Sequence, residues 1–193
     1  MPLNLFLIGP SGCGKTTQAK KVAQKYDLTH ISMGQLLRDE IAANSGFGME
    51  AKKYVNEGQL CPDDLIFDIL ISKLKSIDYK NFIVDGFPRV LNQGRIIEFY
   101  LRKNDMPITA LIHLSVTFAE ITARRAKMGD GFQEKDRADN TPADIANRQK
   151  FYDDNIGPIK DYFVRKSEFI DIDGNRPIEP IFDDIIKAVD KLK

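Results

Sequence analysis

A glycine-rich stretch near the start of the chain has the residue types and spacing that bind phosphate. Residues 9–16 read Gly-Pro-Ser-Gly-Cys-Gly-Lys-Thr and fit the pattern G-x-x-x-x-G-K-[ST]. Glycines let backbone N–H groups turn inward around phosphate oxygens, and a helix that follows adds partial positive charge at its N-terminus. Lys15 can reach the outer phosphates, and the Thr16 hydroxyl can ligate a magnesium ion. The stretch therefore predicts a phosphate-binding loop.

Several arginines elsewhere in the chain point to a second phosphate. Arg89 ends the run Asp-Gly-Phe-Pro-Arg, which begins with Asp85 at the end of a predicted strand. Arg38 lies one helical turn past Gly34, and further arginines flank or occupy an irregular loop at residues 128–140: Arg124, Arg137 and Arg148. Guanidinium groups bind phosphate oxygens in two-point contacts. Because phosphoryl transfer needs mainly positioning and charge neutralisation, this set fits a transfer between two phosphorylated molecules.

Short apolar runs alternate with stretches of helical spacing along the chain. The run at residues 3–8 predicts a buried strand before the phosphate loop, and further strands are predicted at 29–31, 82–84, 110–114 and 168–172. Helices are predicted at 17–26, from a Ser32 cap through Ile41, at 47–56 with an end at Gly58, from Pro62, at 91–103, at 118–127, from Pro142 with a break or kink at Gly157-Pro158, and at 178–192. This alternation predicts an α/β fold with a parallel sheet covered on both faces.

Composition excludes several classes of protein. The 193 residues suit one domain, and 42% hydrophobic with 29% charged residues is ordinary for a globular protein. A formal net charge of zero gives no bulk field for nucleic acid or an anionic membrane. No segment has the length of a membrane span, and the first apolar run is too short for a signal peptide. The distant Cys13 and Cys61 indicate reduced thiols, so a cytoplasmic location is expected, with a monomer as the default state.

The chain resembles an adenylate kinase of the short-lid type, within the nucleoside monophosphate kinases. The resemblance covers essentially the whole chain and rests on residues 9–17, 31–38, 58–63, 85–89 with Gln93, and 137–139 with Arg148. It implies a three-layer α/β/α domain with a five-stranded parallel sheet. It also implies a core at residues 1–31, 62–127 and 140–193, a monophosphate-binding segment at 32–61 and a lid at 128–139.

The resemblance assigns roles to individual residues on the ATP side. The residues that would hold the ATP phosphates are Gly12, Cys13, Gly14, Lys15, Thr16 and Thr17. Arg124 would lie against the ATP base, which Gly174 and Arg176 would also meet. Thr16 and Asp85 would hold magnesium, partly through water, and magnesium is the implied cofactor.

Roles on the AMP side follow in the same way. Arg38 and Arg89 would grip the AMP phosphate, and the remaining AMP-binding residues would be Ser32, Met33, Gln59, Leu60, Cys61, Gly86, Gln93, Arg137 and Arg148. Of these, Gln59, Leu60 and Cys61 would meet the base through their backbone, and Gln93 would hydrogen-bond the edge of the base. Arg137 and Arg148 would close over the transferring group. The residues with catalytic roles would then be Lys15, Asp85, Arg89, Arg137 and Arg148.

Three departures from the family pattern leave alternatives open. Met33 stands where a threonine or alanine is usual, so it can pack on a base but cannot donate a hydrogen bond. Met128 replaces a usual arginine, for which Arg125, Lys127 or Lys135 can compensate. The lid is longer than usual and lacks the cysteines of zinc-bearing lids, so no zinc is expected. The alternatives to an adenylate kinase are a UMP/CMP kinase, which Gln93 disfavours, and a nucleotide-binding relative without turnover.

Overall fold

A five-stranded parallel sheet flanked by helices forms the frame of the molecule. The computed structural model describes residues 2–56, 61–128, 141–166 and 168–192, without the side chains of 55, 56 and 128. Its strands are β1 Asn4–Ile8, β2 Thr29–Ser32, β3 Phe82–Asp85, β4 Ala110–Ser115 and β5 Phe169–Asp173. Its helices are α1 Lys15–Tyr26, α2 Met33–Ala42, α3 Gly46–Asn56, α4 Asp63–Lys75, α5 Leu91–Lys103, α6 Phe118–Met128, α7 Pro142–Val164 and α8 Ile178–Asp190. The predicted α/β class and the five-stranded parallel sheet are confirmed.

The central strands form because their apolar runs are covered on both faces. Every residue of β1 and β3 is buried, as expected for parallel strands between two helical layers. One apolar cluster lies on the face covered by α1 and α8 and contains Ala19, Ile185 and Leu5. A second cluster lies on the face covered by α4, α5 and α7 and contains Phe163 and Phe6. The sheet is therefore a rigid platform for the loops that leave it.

The strand order brings the predicted site residues to one edge of the sheet. The order is β2-β3-β1-β4-β5, so the chain builds β2 and β3 on one side of β1 and then β4 and β5 on the other. All neighbouring pairs are parallel, so their carboxyl ends share one edge. In open α/β sheets, ligands bind outside the carboxyl ends, where the strand order reverses. Here that position is beside β1, directly at the glycine-rich loop.

Two local predictions hold only in part. The helix predicted from Pro142 does not break at Gly157-Pro158, because α7 continues through both residues to Val164. Ile159 and Phe163, on the carboxyl side of the proline, are buried against the sheet. Their burial outweighs the hydrogen bond that the proline removes. Ser32 occupies the capping position of α2 but makes no capping hydrogen bond through its side chain.

The lid predicted at residues 128–139 lies outside the described residues, apart from the end of α6. The boundaries of the core and of the monophosphate-binding segment therefore stay predictions. Within the segment predicted at 32–61, α2 and α3 pack on each other, and Leu36, Leu37 and Phe47 pack against a buried cluster that includes Ala51. None of the helices in the described part of the chain is long and apolar enough to cross a bilayer.

Candidate active site

A cavity of about 1440 Å³ at the carboxyl edge of the sheet collects most of the predicted residues. The predicted residues that line it are Gly12, Cys13, Gly14, Lys15, Thr16, Thr17, Ser32, Arg38, Asp85, Gly86, Arg89, Arg124, Arg148 and Arg176. Four further predicted residues do not line it: Met33, Cys61, Gln93 and Gly174. The remaining three lie outside the described residues: Gln59, Leu60 and Arg137. The cavity thus joins residues that stand far apart in sequence.

The glycine-rich loop has a backbone that other residues cannot easily adopt. Gly14, directly before α1, has φ 97°, in the left-handed region that favours glycine. At Gly9, a β-carbon would lie 2.7 Å from the carbonyl oxygen of Leu114, which leaves no room for a side chain. The Lys15 Nζ donates to the carbonyl oxygens of Gly9 (2.9 Å) and Pro10 (2.7 Å). The lysine is therefore folded over its own loop, and both line the cavity.

Asp85 lines the cavity at the end of β3 and is hydrogen-bonded to the start of α1. It is buried, and its Oδ2 accepts a hydrogen bond of 2.7 Å from the Thr16 hydroxyl. His30 approaches the same oxygen with its Nε2 at 3.4 Å. Burial alone would raise the pKa of Asp85, but His30, the charge of Lys15 and the Thr16 hydroxyl hold this pKa below its usual value. An ionised carboxylate beside a hydroxyl supplies the oxygen ligands that magnesium prefers.

Arg124 on α6 ties the glycine-rich loop to the turn after β5. Its Nη1 donates to the carbonyl oxygen of Cys13 at 3.1 Å. Its Nη2 donates to the carbonyl oxygens of Gly174 at 2.6 Å and Arg176 at 3.1 Å. Glu120, one helical turn earlier, accepts from its Nε at 2.7 Å. One guanidinium therefore sets the distance between two backbone segments that border the cavity.

The turn after β5 is held close to β4. The Gly174 N–H donates to the Ser115 carbonyl at 2.9 Å, and a β-carbon at Gly174 would lie 2.5 Å from a methyl group of Val116. Such an approach requires glycine. Arg176 lines the cavity, and its Nη2 pairs with Asp184 at 2.7 Å.

The two arginines predicted for the second phosphate also reach the cavity. Arg38 on α2 donates from Nη2 to the Gln35 side chain at 2.7 Å. Arg89 donates from Nε to the Gly86 carbonyl at 3.1 Å, so the guanidinium folds back over its own turn. Burial raises the pKa of the Cys61 thiol while the charge of Arg89 opposes this shift, which places Cys61 within electrostatic range of the arginine.

Both ends of the Gln93 amide are already paired. Its Oε1 accepts from the Arg89 backbone N–H at 2.8 Å, and its Nε2 donates to Asp63 at 2.7 Å. One N–H of the amide is left over, because an amide nitrogen carries two. Contacts with α4 and with the turn after β3 therefore fix the orientation of the Gln93 side chain, for which a contact with a base is predicted.

Met33 lies in the core rather than along the cavity. It is only 4% exposed and belongs to the apolar cluster that also contains Ile31 and Phe87. Ser32 and Gly34, its neighbours, line the cavity instead. The prediction that Met33 packs against a base is not tested by this arrangement.

Several residues that line or flank the cavity were not assigned a role from the motifs. His30 and Glu120 line it, and their roles depend on Asp85 and Arg124, which no local pattern connects to them. Lys127 also lines it, and Arg125 lies beside Gly12, with its Nε 3.1 Å from where a β-carbon on that glycine would be. Both were named as substitutes for the arginine missing at Met128. Tyr152 on α7 also lines the cavity, and only the tertiary structure reveals it.

Comparisons with known proteins agree with this geometry. The model of the adenylate kinase family matches residues 7–168. An adenylate kinase of Bacteroides fragilis is 38% identical, over 98% of this chain and all of that protein. An adenylate kinase of Stenotrophomonas maltophilia strain K279a is 35% identical, over 97% of this chain and 99% of that protein. An adenylate kinase of Archaeoglobus fulgidus is 32% identical, over 99% of this chain and all of that protein. With these matches and this cavity, the chain belongs to the adenylate kinase family, whose reaction is phosphoryl transfer from ATP to AMP to give two ADP.

Proposed function

We propose that this member of the family transfers a phosphoryl group from ATP, bound at the glycine-rich loop, to AMP, bound by Arg38 and Arg89. The observation that carries the proposal is that the loop, both arginines and Asp85 line one cavity, with Asp85 hydrogen-bonded to Thr16 directly after the loop. The transferring group would lie near Asp85, where a donor phosphate on α1 and an acceptor phosphate on the turn after β3 can meet. No covalent nucleophile is needed, since the reaction depends on alignment and on neutralising charge.

On the donor side, the backbone of residues 12–17 would hold the ATP phosphates at the N-terminus of α1. Lys15 now donates to two loop carbonyls, contacts that are easily exchanged for phosphate oxygens. Because phosphate carries full negative charge and carbonyls do not, the ammonium would prefer the phosphates. The ATP base would lie near Arg124 and Arg176, which line the cavity, and near Gly174, whose carbonyl accepts a hydrogen bond from Arg124.

Magnesium fits the Thr16–Asp85 pair. The two oxygens are 2.7 Å apart, and the carboxylate is ionised at neutral pH because its pKa is lowered. When bound there with ATP, magnesium would neutralise phosphate charge and orient the phosphates. Asp85 would hold the ion through water, and Thr16 would supply its hydroxyl directly.

On the acceptor side, Arg38 and Arg89 would bind the AMP phosphate from α2 and from the turn after β3. Gln93 would offer its remaining N–H to the base, and the backbone of residues 59–61 would meet the same base. A UMP/CMP kinase is the alternative within the class, because Met33 cannot reject a pyrimidine by hydrogen bonding. Gln93 favours AMP over that alternative.

Arg148 would act on the transferring group together with Arg137, which lies outside the described residues. Arg148, on α7, lines the same cavity as the loop. Positive charge placed where negative charge develops lowers the barrier, because it needs no reorganisation during the reaction. Closure of the lid would then exclude water that otherwise hydrolyses ATP.

We also expect a cytoplasmic monomer. Both cysteines are free thiols in the described part of the chain, as is usual in a reducing compartment. Light scattering of the purified protein tests the monomer, and a stable dimer would contradict it.

The proposal is tested by coupled turnover with ATP and one acceptor at a time: AMP, UMP or CMP. Each reaction is measured with magnesium and again with a chelator in excess. The expected result is rapid ADP formation with AMP, weak turnover with both pyrimidines, and loss of turnover without magnesium. A preference for CMP or UMP would replace the proposal with the pyrimidine kinase alternative. Binding of ATP without transfer to any acceptor would favour a relative without turnover.

A further inference from the structure

A buried histidine beneath α7 has no place in the roles assigned so far. His113 on β4 is 5% exposed, and its Nδ1 lies 2.8 Å from Asp171 on β5. The register of the parallel pair puts these two residues opposite each other, so their side chains share one face of the sheet. The Nε2 of His113 is in hydrogen-bond contact with the hydroxyl of Tyr152 on α7. Three elements are therefore connected through one imidazole.

The chemistry of the three groups sets the direction of each hydrogen bond. Burial alone would raise the pKa of Asp171, but hydrogen bonds from Lys160 and His113 lower this pKa, so the carboxylate is ionised and can only accept. The His113 Nδ1 must therefore carry a proton and donate it to Asp171. Burial lowers the pKa of His113 although Asp171 opposes the shift, so the ring is neutral at neutral pH and its Nε2 is an acceptor. Burial also raises the pKa of Tyr152, which keeps the hydroxyl protonated as the donor.

The tyrosine at the end of this chain of hydrogen bonds lies at a functionally sensitive place on α7. Tyr152 is four residues after Arg148, so both side chains project from the same face of the helix. Both line the large cavity, and Tyr152 also lines a smaller one of about 450 Å³ together with His113 and Asp171. The imidazole and the phenol rings are nearly parallel, with centroids 6.1 Å apart. The hydroxyl is directed at His113, so it is not available to a nucleotide.

We propose that His113 is a positioning residue for the phosphoryl transfer, which holds Tyr152 and thereby sets the rotation of α7 that aims Arg148 at the cavity. The inference rests on the proposed role of Arg148. A small rotation of the helix about its axis moves a long side chain at its surface by more than the backbone moves. Because charge stabilisation of a transferring group depends strongly on distance and direction, loss of this contact lowers kcat more than nucleotide binding.

The test is a double-mutant cycle between Tyr152 and Arg148. Tyr152→Phe removes only the hydroxyl, and the expected result is a kcat lower by about fivefold, with KM for ATP and AMP within about twofold of the wild type. In an Arg148→Ala background the same change should cost nothing further, because the residue through which it acts is gone. A merely structural hydroxyl would lower kcat or stability equally in both backgrounds.

A matched control lies on the same helix. The Tyr162 hydroxyl donates to Glu98 at 3.1 Å, away from the cavity, so Tyr162→Phe removes a comparable hydrogen bond from α7. It should leave kcat unchanged. His113→Leu should reproduce the loss of Tyr152→Phe, while His113→Gln should recover part of kcat, because its amide oxygen can accept from Tyr152. If His113→Leu does not fold, the Tyr152 cycle decides alone.

The outcomes distinguish a failure of the positioning role of His113 from a failure of the proposed role of Arg148. If Arg148→Ala lowers kcat but Tyr152→Phe costs fivefold in both backgrounds, the positioning role is overturned and the proposed function stands. The same holds if Tyr162→Phe lowers kcat as much as Tyr152→Phe. If Arg148→Ala keeps the wild-type kcat, the proposed role of Arg148 is wrong, and the inference that depends on it is wrong too.

Discussion

The loop before α1 and the turn after β3 both begin where a buried parallel strand ends, yet they are built in different ways. The loop is a contiguous motif whose shape comes from its own glycines, and Lys15 contacts carbonyls five and six residues away. The acceptor region is assembled from separate elements, because Gln93 on α5 connects the Arg89 backbone with Asp63 on α4. A local motif therefore builds the proposed site of the ATP phosphates, while tertiary packing builds the proposed acceptor site.

This difference has a consequence for mutations. A change inside the loop removes a group that acts directly on phosphate and leaves the rest of the loop in place. A change in the acceptor region moves several partners at once, since they hold one another. Mutations in the loop should therefore affect kcat most strongly, and mutations around Gln93 should most strongly affect discrimination between acceptors.

The largest expected effect is that of Lys15→Ala on the donor region. Loss of the charge should lower kcat by about a thousandfold or more, since the ammonium acts mainly on the transition state. The fold should persist, because the lysine lies in a loop at the cavity. Coupled kinetics measure kcat, and circular dichroism checks the fold. The control is Lys21→Ala on the same helix, because the Lys21 side chain pairs with Glu179 at 2.7 Å outside the cavity. Retention of a tenth of the wild-type kcat would contradict the role.

Asp85 lies between the two regions and should make stability depend on pH. Its folded-state pKa is below the value of about 3.9 in an unfolded chain, so the ionised carboxylate stabilises the fold above that pH. This contribution is lost as pH falls through the folded-state pKa. Asp85→Asn should cost about 2 kcal/mol in the free energy of unfolding at pH 7, and the difference from the wild type should narrow below pH ~4.

Urea unfolding at several pH values between neutral and acidic measures this difference. Asp68→Asn, on the exposed side of α4, is the control and should follow the wild type at every pH. If the stability difference between Asp85→Asn and the wild type grew as the pH fell, the predicted direction of the pH dependence would be wrong. Asp85 would then destabilise the fold when ionised.

Arg124→Ala should sharpen the comparison on the donor side. The guanidinium links the carbonyl of Cys13 to the carbonyls of Gly174 and Arg176. Without it, the glycine-rich loop and the turn after β5 are no longer held together on the ATP side of the cavity. The expected result is a KM for ATP raised by about tenfold with little change in the KM for AMP. Arg102→Ala controls for the loss of a surface charge, because Arg102 is an exposed arginine that pairs with Glu98 on α5. Equal changes in both KM values would show that Arg124 supports the whole cavity.

The smallest effects concern the acceptor base. Gln93→Leu should lower the ratio of kcat/KM for AMP to that for CMP by about tenfold, because one hydrogen bond to the base is lost. Met33→Thr should raise this ratio by no more than about tenfold, since Met33 is 4% exposed and lies among apolar side chains. Both ratios are measured at saturating ATP and magnesium. An unchanged ratio in Gln93→Leu would remove that residue from discrimination.

The sequence predicts the parts of the fold that depend on local chemistry. The α5 helix lies at the predicted residues 91–103, and the strands and the glycine-rich loop stand close to their predicted places. The contacts of Arg124 are not predictable in this way, because their carbonyl partners lie 111 and 50 residues away at Cys13 and Gly174. The continuation of α7 through Pro158 and the burial of Met33 likewise depend on packing against the sheet, which no local pattern records.

The central claim is that the loop binds ATP and the turn after β3 binds AMP. Calorimetric titration of each nucleotide alone into the wild type, Lys15→Ala and Arg89→Ala tests it most directly. The account predicts a crossed pattern, in which Arg89→Ala weakens AMP binding by about 2–3 kcal/mol and leaves ATP binding unchanged, as expected for a charged phosphate contact. Lys15→Ala should weaken ATP binding by less than it lowers kcat, and it should leave AMP binding unchanged. An ATP defect in Arg89→Ala larger than its AMP defect would contradict the account.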